Sequence, residues 1–302
     1  MGNSPKRNNR ITLAMALCRI GVIMIGQKSL MNDWLERKAK NTLPVFSILV
    51  GANGSGKETF CKEFCDEIKI DYLVVDNKVD DLRDLIERAY REQSPIMYII
   101  RDADTMTVNA KNSILKLAEE PPVNAYIVLL VNNLENILGT LISRGSIFQM
   151  FPYSKQELID YGKTLALTED KIMPMLDFCF SPGDINTTIE NIKDVQAFKT
   201  FVNYFVDNIG FATLSNVLKV AKKIRTSQDG EGYDIMLFLQ CLKGVLTQKC
   251  FKSKKDLIEK YTNWNDIISD AIGELGLSSV NKNMLIDNVI IGGWQELCNY
   301  GN

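Results

Sequence analysis

A glycine-rich loop between an apolar segment and an amphipathic helix constrains the fold more than any other feature of the chain. Residues 46–50 read FSILV, and residues 51–57, which follow directly, read GANGSGK. This G-x-x-x-x-G-K pattern is that of a phosphate-binding loop, in which glycines allow backbone N–H groups to turn toward phosphate oxygens. The residues predicted to surround a phosphate are Gly51, Asn53, Gly54, Ser55, Gly56 and Lys57. The pattern therefore predicts a P-loop α/β fold.

Short apolar segments alternate with helical patterns through the first half of the chain. We expect strands at 46–50, 72–75, 96–100, 126–131 and 147–151, and helices at 58–68, 80–93 and 109–118. The strand segments are almost continuously apolar, which is typical of strands covered by helices on both faces. The alternation predicts a parallel five-stranded sheet with helices on both faces and right-handed crossovers.

From residue 154 onward the periodicity is helical and no further strand is expected. Ser154 and Glu157 have the spacing of a capping box, and residues 181–184, SPGD, predict a turn. A polar loop at 226–232 interrupts the helices. The second half is therefore predicted to be a small helical domain followed by a larger one.

The first residues are expected to be an extra N-terminal segment at 1–23. Residues 11–26 follow a basic stretch and weakly resemble a signal sequence, but Arg19 interrupts an apolar run that is too short to span a bilayer. An additional helix, or translation that begins at Met24, is the favoured interpretation.

The composition excludes several classes of chemistry. The 302 residues include 35 basic and 37 acidic side chains and no histidine, so Ser-His-Asp and Cys-His centres are excluded. The net charge of −2 argues against nucleic-acid binding by bulk positive charge, although a local basic surface stays open. Seven scattered cysteines favour reduced thiols and a cytoplasmic location, and Cys61 and Cys65 lack the second ligand pair of a structural zinc site. We expect no metal and no membrane partner.

The metal-binding half of the nucleotide site is altered at two positions. Glu58 stands where a P-loop has a Ser or Thr whose hydroxyl binds Mg²⁺, and Thr59 is rotated about 100° around the helix from that position. After the strand at 96–100, Arg101 takes the place of the expected metal-binding Asp, and Asp102 the place of the residue that orients water. The sequence therefore predicts a degenerate metal site that does not support ATP hydrolysis.

Glu58 and Arg101 carry opposite charges at positions that would normally meet across one ion. We hypothesise that the two side chains pair directly and fill the place of the metal. Such a close pair attracts by about 4 kcal/mol at an effective dielectric of 20, before desolvation is subtracted. The alternative is that both are solvated replacements that point apart.

Three further segments resemble those of a known family. Residues 112–122, NSILKLAEEPP, resemble the NALLKxLEEPP segment of bacterial DNA polymerase III clamp-loader subunits. Residues 140–145, TLISRG, resemble their TIxSRC arginine-finger motif, with Gly145 in place of the cysteine, and residues 25–27 resemble the start of the same AAA+ module. The resemblance covers about residues 24–195, whereas the last hundred residues agree with the family's helical collar only in character and length.

The resemblance implies an AAA+ P-loop domain at 24–152, a small helical lid domain at 153–195 and an all-α collar domain for oligomerisation at 196–302. The delta prime subunits, which commonly have a defective nucleotide site, are the most similar in length and layout, whereas gamma and tau subunits retain an intact one. The family's lid arginine is replaced by Asn186, and its four-cysteine zinc module is absent. These departures indicate a divergent member, and leave a chromosomal or a phage gene open.

The resemblance implies that Arg144, with Ser143 beside it, is an arginine finger that completes the ATP site of a neighbouring subunit. The alternative is a helix-end arginine that pairs with a local carboxylate. Lys111 and Lys116 would contact duplex DNA in the loader's central chamber, or else lie against a neighbouring subunit or in solvent.

The expected function is therefore that of a non-hydrolysing subunit of a sliding-clamp loader. The implied partners are a gamma/tau-like ATPase, a delta-like subunit, the sliding clamp through the complex, and primer–template DNA. No cofactor is required, and residual binding of ATP or ADP without Mg²⁺ is left open. Two alternatives remain: an active gamma-class ATPase that uses Thr59, Asp102 and Asp104 in a shifted site, and a structural AAA+ scaffold outside replication.

Overall fold

A five-stranded, all-parallel sheet organises the first half of the chain. A computed structural model describes residues 25–225, 234–275 and 280–298. The strands are β1 (Phe46–Val50), β2 (Asp71–Val75), β3 (Ile96–Ile100), β4 (Ala125–Val131) and β5 (Ser146–Gln149). They lie in the order β2-β3-β4-β1-β5. The predicted parallel α/β fold is confirmed, whereas the predicted segment at 1–23, Met24 and the polar loop at 226–232 lie outside the described residues.

Thirteen α-helices are found among the described residues, together with four short 3₁₀ helices. In the first half they are α1 (Lys28–Ala39), α2 (Lys57–Ile68), α3 (Val79–Ala89), α4 (Val108–Glu119) and α5 (Gly139–Ile142). In the second half they are α6 (Lys155–Thr164), α7 (Glu169–Ile172), α8 (Pro182–Asn191), α9 (Val195–Asn208), α10 (Leu214–Arg225), α11 (Ile235–Cys250), α12 (Lys255–Glu274) and α13 (Lys282–Cys298). The 3₁₀ helices span Ala103–Thr105, Leu134–Asn136, Met175–Asp177 and Ile209–Phe211.

The three central strands of the sheet, β3, β4 and β1, are buried on both faces, and their successive side chains pack on opposite sides. In β1, Phe46, Ile48 and Val50 pack into the cluster that includes α3, α4 and α5, whereas Leu49 packs into the cluster on the opposite face. That second cluster is centred on Trp34 of α1, which makes edge contacts with three phenylalanine rings. Two-sided coverage explains why these strands read as continuous apolar runs.

The second half is helical, as predicted, and its buried side chains form one continuous cluster that extends from Leu158 in α6 to Leu297 in α13. The capping box of Ser154 and Glu157 is present at the start of α6. Residues 181–184 do not form the turn that the sequence predicts within the helical region. They open α8 instead, because Ser181 caps the helix, Pro182 occupies its first turn, and Asp184 completes a second capping box.

Two predicted boundaries are corrected by side-chain hydrogen bonds from distant residues. Strand β5 ends at Gln149, and not at Phe151, because the backbone of Phe151 pairs with the amide of Gln27 instead of a neighbouring strand. Helix α3 ends at Ala89, and not at residue 93, because the Asn124 amide binds the carbonyl oxygens of residues 92 and 93. Across the parts of the chain that are described, none of the helices is long and apolar enough to cross a bilayer.

Candidate functional site

The candidate nucleotide site lies where the carboxyl ends of three neighbouring strands meet. The glycine loop follows β1, Asn132 follows the adjacent β4, and Arg101 follows β3, the next strand in the sheet. Gly54 and Gly56 have positive φ angles of 73° and 81°, a conformation that favours glycine over any residue with a side chain. The loop therefore has the predicted position between β1 and α2.

The ammonium group of Lys57 is bound entirely by protein oxygens. It donates to the carbonyl oxygens of Gly51 at 2.6 Å and Ala52 at 3.0 Å, and to Oδ1 of Asn132 at 2.8 Å. Because an ammonium has three N–H donors, these contacts use all of them. Burial lowers the pKa of Lys57 to about 8, an effect that the Asp104 carboxylate partly offsets. The lysine that would contact terminal phosphates is thus turned back onto its own loop.

A buried carboxylate holds the end of β4 beside this lysine. Oδ2 of Asp104 accepts from the backbone N–H groups of Asn132 and Asn133, both at 3.2 Å. Its Oδ1 is buried and has no hydrogen-bond partner among the described residues. Asp104 therefore fixes the backbone at Asn132, whose amide in turn binds Lys57.

The predicted contact between Glu58 and Arg101 is confirmed. The guanidinium donates from Nε to Oε2 of Glu58 at 2.5 Å and from Nη2 to Oε1 at 2.8 Å, which is a bidentate pair. These hydrogen bonds lower the pKa of Glu58, and the side chain of Lys62 adds to the effect from 2.5 Å away. Asp76 lies 3.8 Å from the other guanidinium nitrogen, so two cations and two carboxylates balance. The interpretation of both residues as solvated replacements that point apart is wrong.

The residues of the alternative, shifted ion site differ in their surroundings. Thr59 and Asp102 are exposed, whereas Asp104 is buried and holds backbone amides. The positions that the structure describes include no group of three or more His, Cys, Asp or Glu residues that could hold a metal ion.

The first turn of α8 packs directly on the glycine loop. The backbone N–H of Gly183 donates to the carbonyl of Gly54 at 3.0 Å. A Cβ atom added to Gly183 would lie 2.4 Å from Cα of Gly54, so the two backbones touch. Tyr153 makes a second contact, from its hydroxyl to the carbonyl of Ser55 at 2.8 Å. The helical second half of the chain is thereby closed over the loop.

Asn186, which stands at the position expected for a lid arginine, is held by a neighbouring tyrosine. The amide of Asn186 exchanges hydrogen bonds with the hydroxyl of Tyr161, at 2.8 and 3.1 Å. A neutral amide held by a tyrosine provides no charge for a phosphate.

Arg144 lies on an exposed segment between α5 and β5, where its side chain is 37% accessible. Its Nη1 donates to the carbonyl of Thr140 at 2.9 Å, and its Nη2 lies 2.9 Å from Oε1 of Glu119. The local carboxylate of the alternative interpretation is therefore present. The hydroxyl of Ser143 donates to the same Thr140 carbonyl at 3.1 Å.

The two lysines of α4 differ in their surroundings. The ammonium of Lys111 is held by the backbone carbonyls of Asp104 and Asn136. Lys116 is exposed, and its ammonium lies over the ring of Tyr90, 5.3 Å from the centroid. Of the two, Lys116 is the more accessible to a ligand.

Sequence reasoning missed three contributors to the site, namely Asn132, Gly183 and Tyr153. Each meets the loop from a point at least 75 positions away in the chain, so no local spacing indicates it. Asn132 could have been suspected, because it directly follows an apolar strand, where parallel sheets place ligand-binding residues.

Comparisons with known proteins place the chain near subunits of a bacterial polymerase. A family model described as DNA polymerase III, delta subunit, matches residues 69–154. The DNA polymerase III subunit gamma of Buchnera aphidicola is 27% identical over 118 residues, which cover 36% of this chain and 32% of that protein. The delta' subunit of Bacillus subtilis is 32% identical over 83 residues, which cover 28% of this chain and 25% of that protein. The chain thus spans about a quarter to a third of the length of these relatives.

A solved structure shares the fold over most of its length. A gamma subunit-related protein of DNA polymerase III from Thermotoga maritima superposes with a TM-score of 0.50 at 16% identity, covering 88% of this chain and 99% of the other. The two chains therefore share a fold in which a parallel α/β sheet is followed by a helical region. The sequence relatives confirm the resemblance inferred from the motifs: over part of its length, the chain is similar to subunits of bacterial DNA polymerase III.

Proposed function

We propose that this protein is a delta-prime-like subunit of a DNA polymerase III clamp loader that does not hydrolyse ATP and donates Arg144 to the ATP site of a neighbouring subunit. The observation that carries the proposal is the contrast between the two sites. The positions for a metal ion are filled by the Glu58–Arg101 pair, whereas Arg144 is accessible at the surface.

Three features support the loss of hydrolysis. A carboxylate and a guanidinium bound to each other cannot provide the hydroxyl and the Asp oxygen that hold Mg²⁺. The three donors of Lys57 are engaged by protein oxygens, so a phosphate would have to displace them. The contact between Gly183 and Gly54 brings the first turn of α8 directly against the loop backbone.

The role of Arg144 follows from the charge that develops during phosphoryl transfer. A guanidinium brought to the transferred phosphoryl group stabilises the negative charge of the transition state more than that of the bound ATP, which lowers the barrier. The two contacts of Arg144, to Thr140 and Glu119, leave three of its five N–H groups for phosphate oxygens.

The partners are proposed on the same basis. A gamma/tau-like ATPase would receive Arg144, a delta-like subunit would complete the ring, and the sliding clamp would be reached through the complex. The helical region at 196–302 is proposed as the collar; Phe211 and Phe251, 78% and 86% exposed, are candidates for burial between subunits. For primer–template DNA, Lys116 is a better candidate than Lys111, whose ammonium is already held by backbone carbonyls.

The decisive experiment reconstitutes the chain with a gamma/tau-like ATPase and measures DNA-stimulated ATP turnover. Arg144→Ala should leave assembly intact and reduce turnover steeply, since an arginine finger contributes about 10³–10⁵ in rate. Arg83→Ala, which removes another exposed arginine of the α/β domain, is the matched control and should leave turnover unchanged. Unaltered turnover in the Arg144→Ala complex refutes the donation.

The isolated chain separates this proposal from the two alternatives. Incubated with ATP, Mg²⁺ and primed DNA, it should produce no phosphate, whereas turnover would identify a gamma-class ATPase. Co-purification with a polymerase subunit or a clamp supports the loader, and its failure would favour a scaffold outside replication.

A further inference from the structure

The guanidinium of Arg144 is held at two points on its own chain. Its Nη1 donates to the Thr140 carbonyl at 2.9 Å, and its Nη2 pairs with Oε1 of Glu119 at 2.9 Å. The backbone beneath it is also fixed, because the carbonyl of the buried Leu141 accepts from the N–H groups of both Arg144 and Gly145. The direction of this arginine is therefore set by four hydrogen-bonded or ionic contacts.

We infer that Glu119 is a positioning residue for Arg144. It orients the guanidinium toward the neighbouring subunit before that subunit's ATP reacts. The inference rests on the proposed function and adds to it a second residue, which touches neither the ATP nor the attacking water.

The position of Glu119 suits this task. It is the last residue of α4, and that helix end is held in place by the hydroxyl of Tyr90, which donates to the carbonyl of Glu120 at 2.7 Å. The carboxylate of Glu119 is half exposed, so the arginine remains at the surface when the two are paired. An arginine that is free to rotate would have to be ordered at the moment of reaction, and the pair removes part of that entropic cost in advance.

The contact geometry indicates that Glu119 orients the guanidinium of Arg144 and does not withhold it from a ligand. Only one nitrogen of Arg144 meets Glu119, in contrast to the bidentate contact that closes the site between Glu58 and Arg101. Nε and one N–H on each terminal nitrogen of Arg144 have no partner within the described ranges. A phosphate could therefore bind the guanidinium without breaking the contact with Glu119.

The test is a double-mutant cycle in the complex reconstituted with the gamma/tau-like ATPase, with turnover measured against ATP concentration. Glu119→Gln keeps the shape and an acceptor oxygen but removes the charge, and Glu119→Ala removes both. We expect Glu119→Gln to lower kcat about two- to five-fold with little change in KM, the effect of one partly exposed ion pair, and Glu119→Ala to lower it further. Glu120→Gln removes the adjacent exposed carboxylate and should leave kcat unchanged.

The discriminating variant combines Glu119→Ala with Arg144→Ala. A positioning residue has no effect once the residue it orients is gone, so the double variant should match Arg144→Ala alone. Additive losses in the double variant would mean that Glu119 acts through folding or assembly. A gain in turnover from Glu119→Gln would mean that Glu119 restrains Arg144. Either result overturns the inference. If Arg144→Ala itself has no effect, the proposed function fails, whereas a large effect of Arg144→Ala with none from the Glu119 variants rejects the positioning role alone.

Discussion

The Glu58–Arg101 pair should contribute a measurable coupling free energy to the α/β domain. At about 4 Å between charge centres, two unit charges attract by about 1 kcal/mol in bulk water and about 4 kcal/mol at an effective dielectric of 20. The side chains are 26% and 45% exposed, so solvent screening and desolvation remove most of the larger value. We therefore expect a coupling of about 1 kcal/mol between Glu58→Gln and Arg101→Met.

Local opening of α2 and β3 is the appropriate measurement, because a chain with three hydrophobic clusters need not unfold in one step. Hydrogen exchange of peptides from these two elements, followed across a urea series, gives the opening free energy for each variant. The exposed Asp33–Arg37 pair of α1, one helical turn apart, provides the control and should couple by only about 0.3–0.5 kcal/mol.

The coupling should depend on pH in one direction. Arg101 lowers the pKa of Glu58 below its ordinary value of 4.5, so the folded state holds the proton less tightly than the unfolded state does. The contribution is then complete above pH 4.5 and is lost as the pH falls through the lower value of the folded protein. Salt near 1 M should also weaken it. A coupling below about 0.3 kcal/mol at pH 7, or one that survives full protonation of Glu58, would show that the pair does not hold the site closed.

Five further variants, two of which are matched controls, test the packing around the loop and in the helical region. Gly183→Ala forces a Cβ against the loop backbone at 2.4 Å. It should lower the opening free energy of α2 by about 1–3 kcal/mol in the same hydrogen-exchange measurement, whereas Gly139→Ala, with nothing within 4 Å, should be nearly neutral. Gly293→Ala places a Cβ 1.9 Å from a buried indole ring and should destabilise the helical cluster, which faster hydrogen exchange in that region would reveal. Its control, Gly273→Ala, lies in open space on α12 and should stabilise that helix by up to about 1 kcal/mol. Lys57→Ala should lower the stability of the fold by about 1–3 kcal/mol in protein without added nucleotide, because three oxygens lose their hydrogen-bond donor. An unchanged melting temperature would contradict the contacts described for Lys57.

The sequence predicts the sheet well because burial on both faces leaves a simple pattern. Strands β1 and β3 have the expected bounds, and the others differ by one or two residues. The largest error, at the end of β5, arises because a distant side chain takes the place of a strand-to-strand hydrogen bond. The amide of Gln27 binds the backbone of Phe151, 124 positions away. Local periodicity carries no information about such a contact.

Beyond the position of the glycine loop, the candidate site was predictable only where two side chains carry complementary charges. Opposite charges at two positions that normally share one ion indicated the Glu58–Arg101 contact, which the structure bears out. The contacts of Lys57 could not be anticipated in the same way, since two of its three acceptors are backbone oxygens, and any residue supplies those. The contact of Gly183 with the loop likewise depends on how the second half of the chain folds back onto the first.

The backbone contact between Gly54 and Gly183 limits how the sequence of the loop can change during evolution. Gly54 needs its glycine for a positive φ angle, and a Cβ there would also strike Ser181 Oγ at 2.8 Å. Selection for folding alone would thus oppose drift at this position in the loop, even in a lineage that had given up phosphate binding. A glycine at this position of the loop therefore also serves the fit between two segments, so its presence does not by itself identify an ATPase.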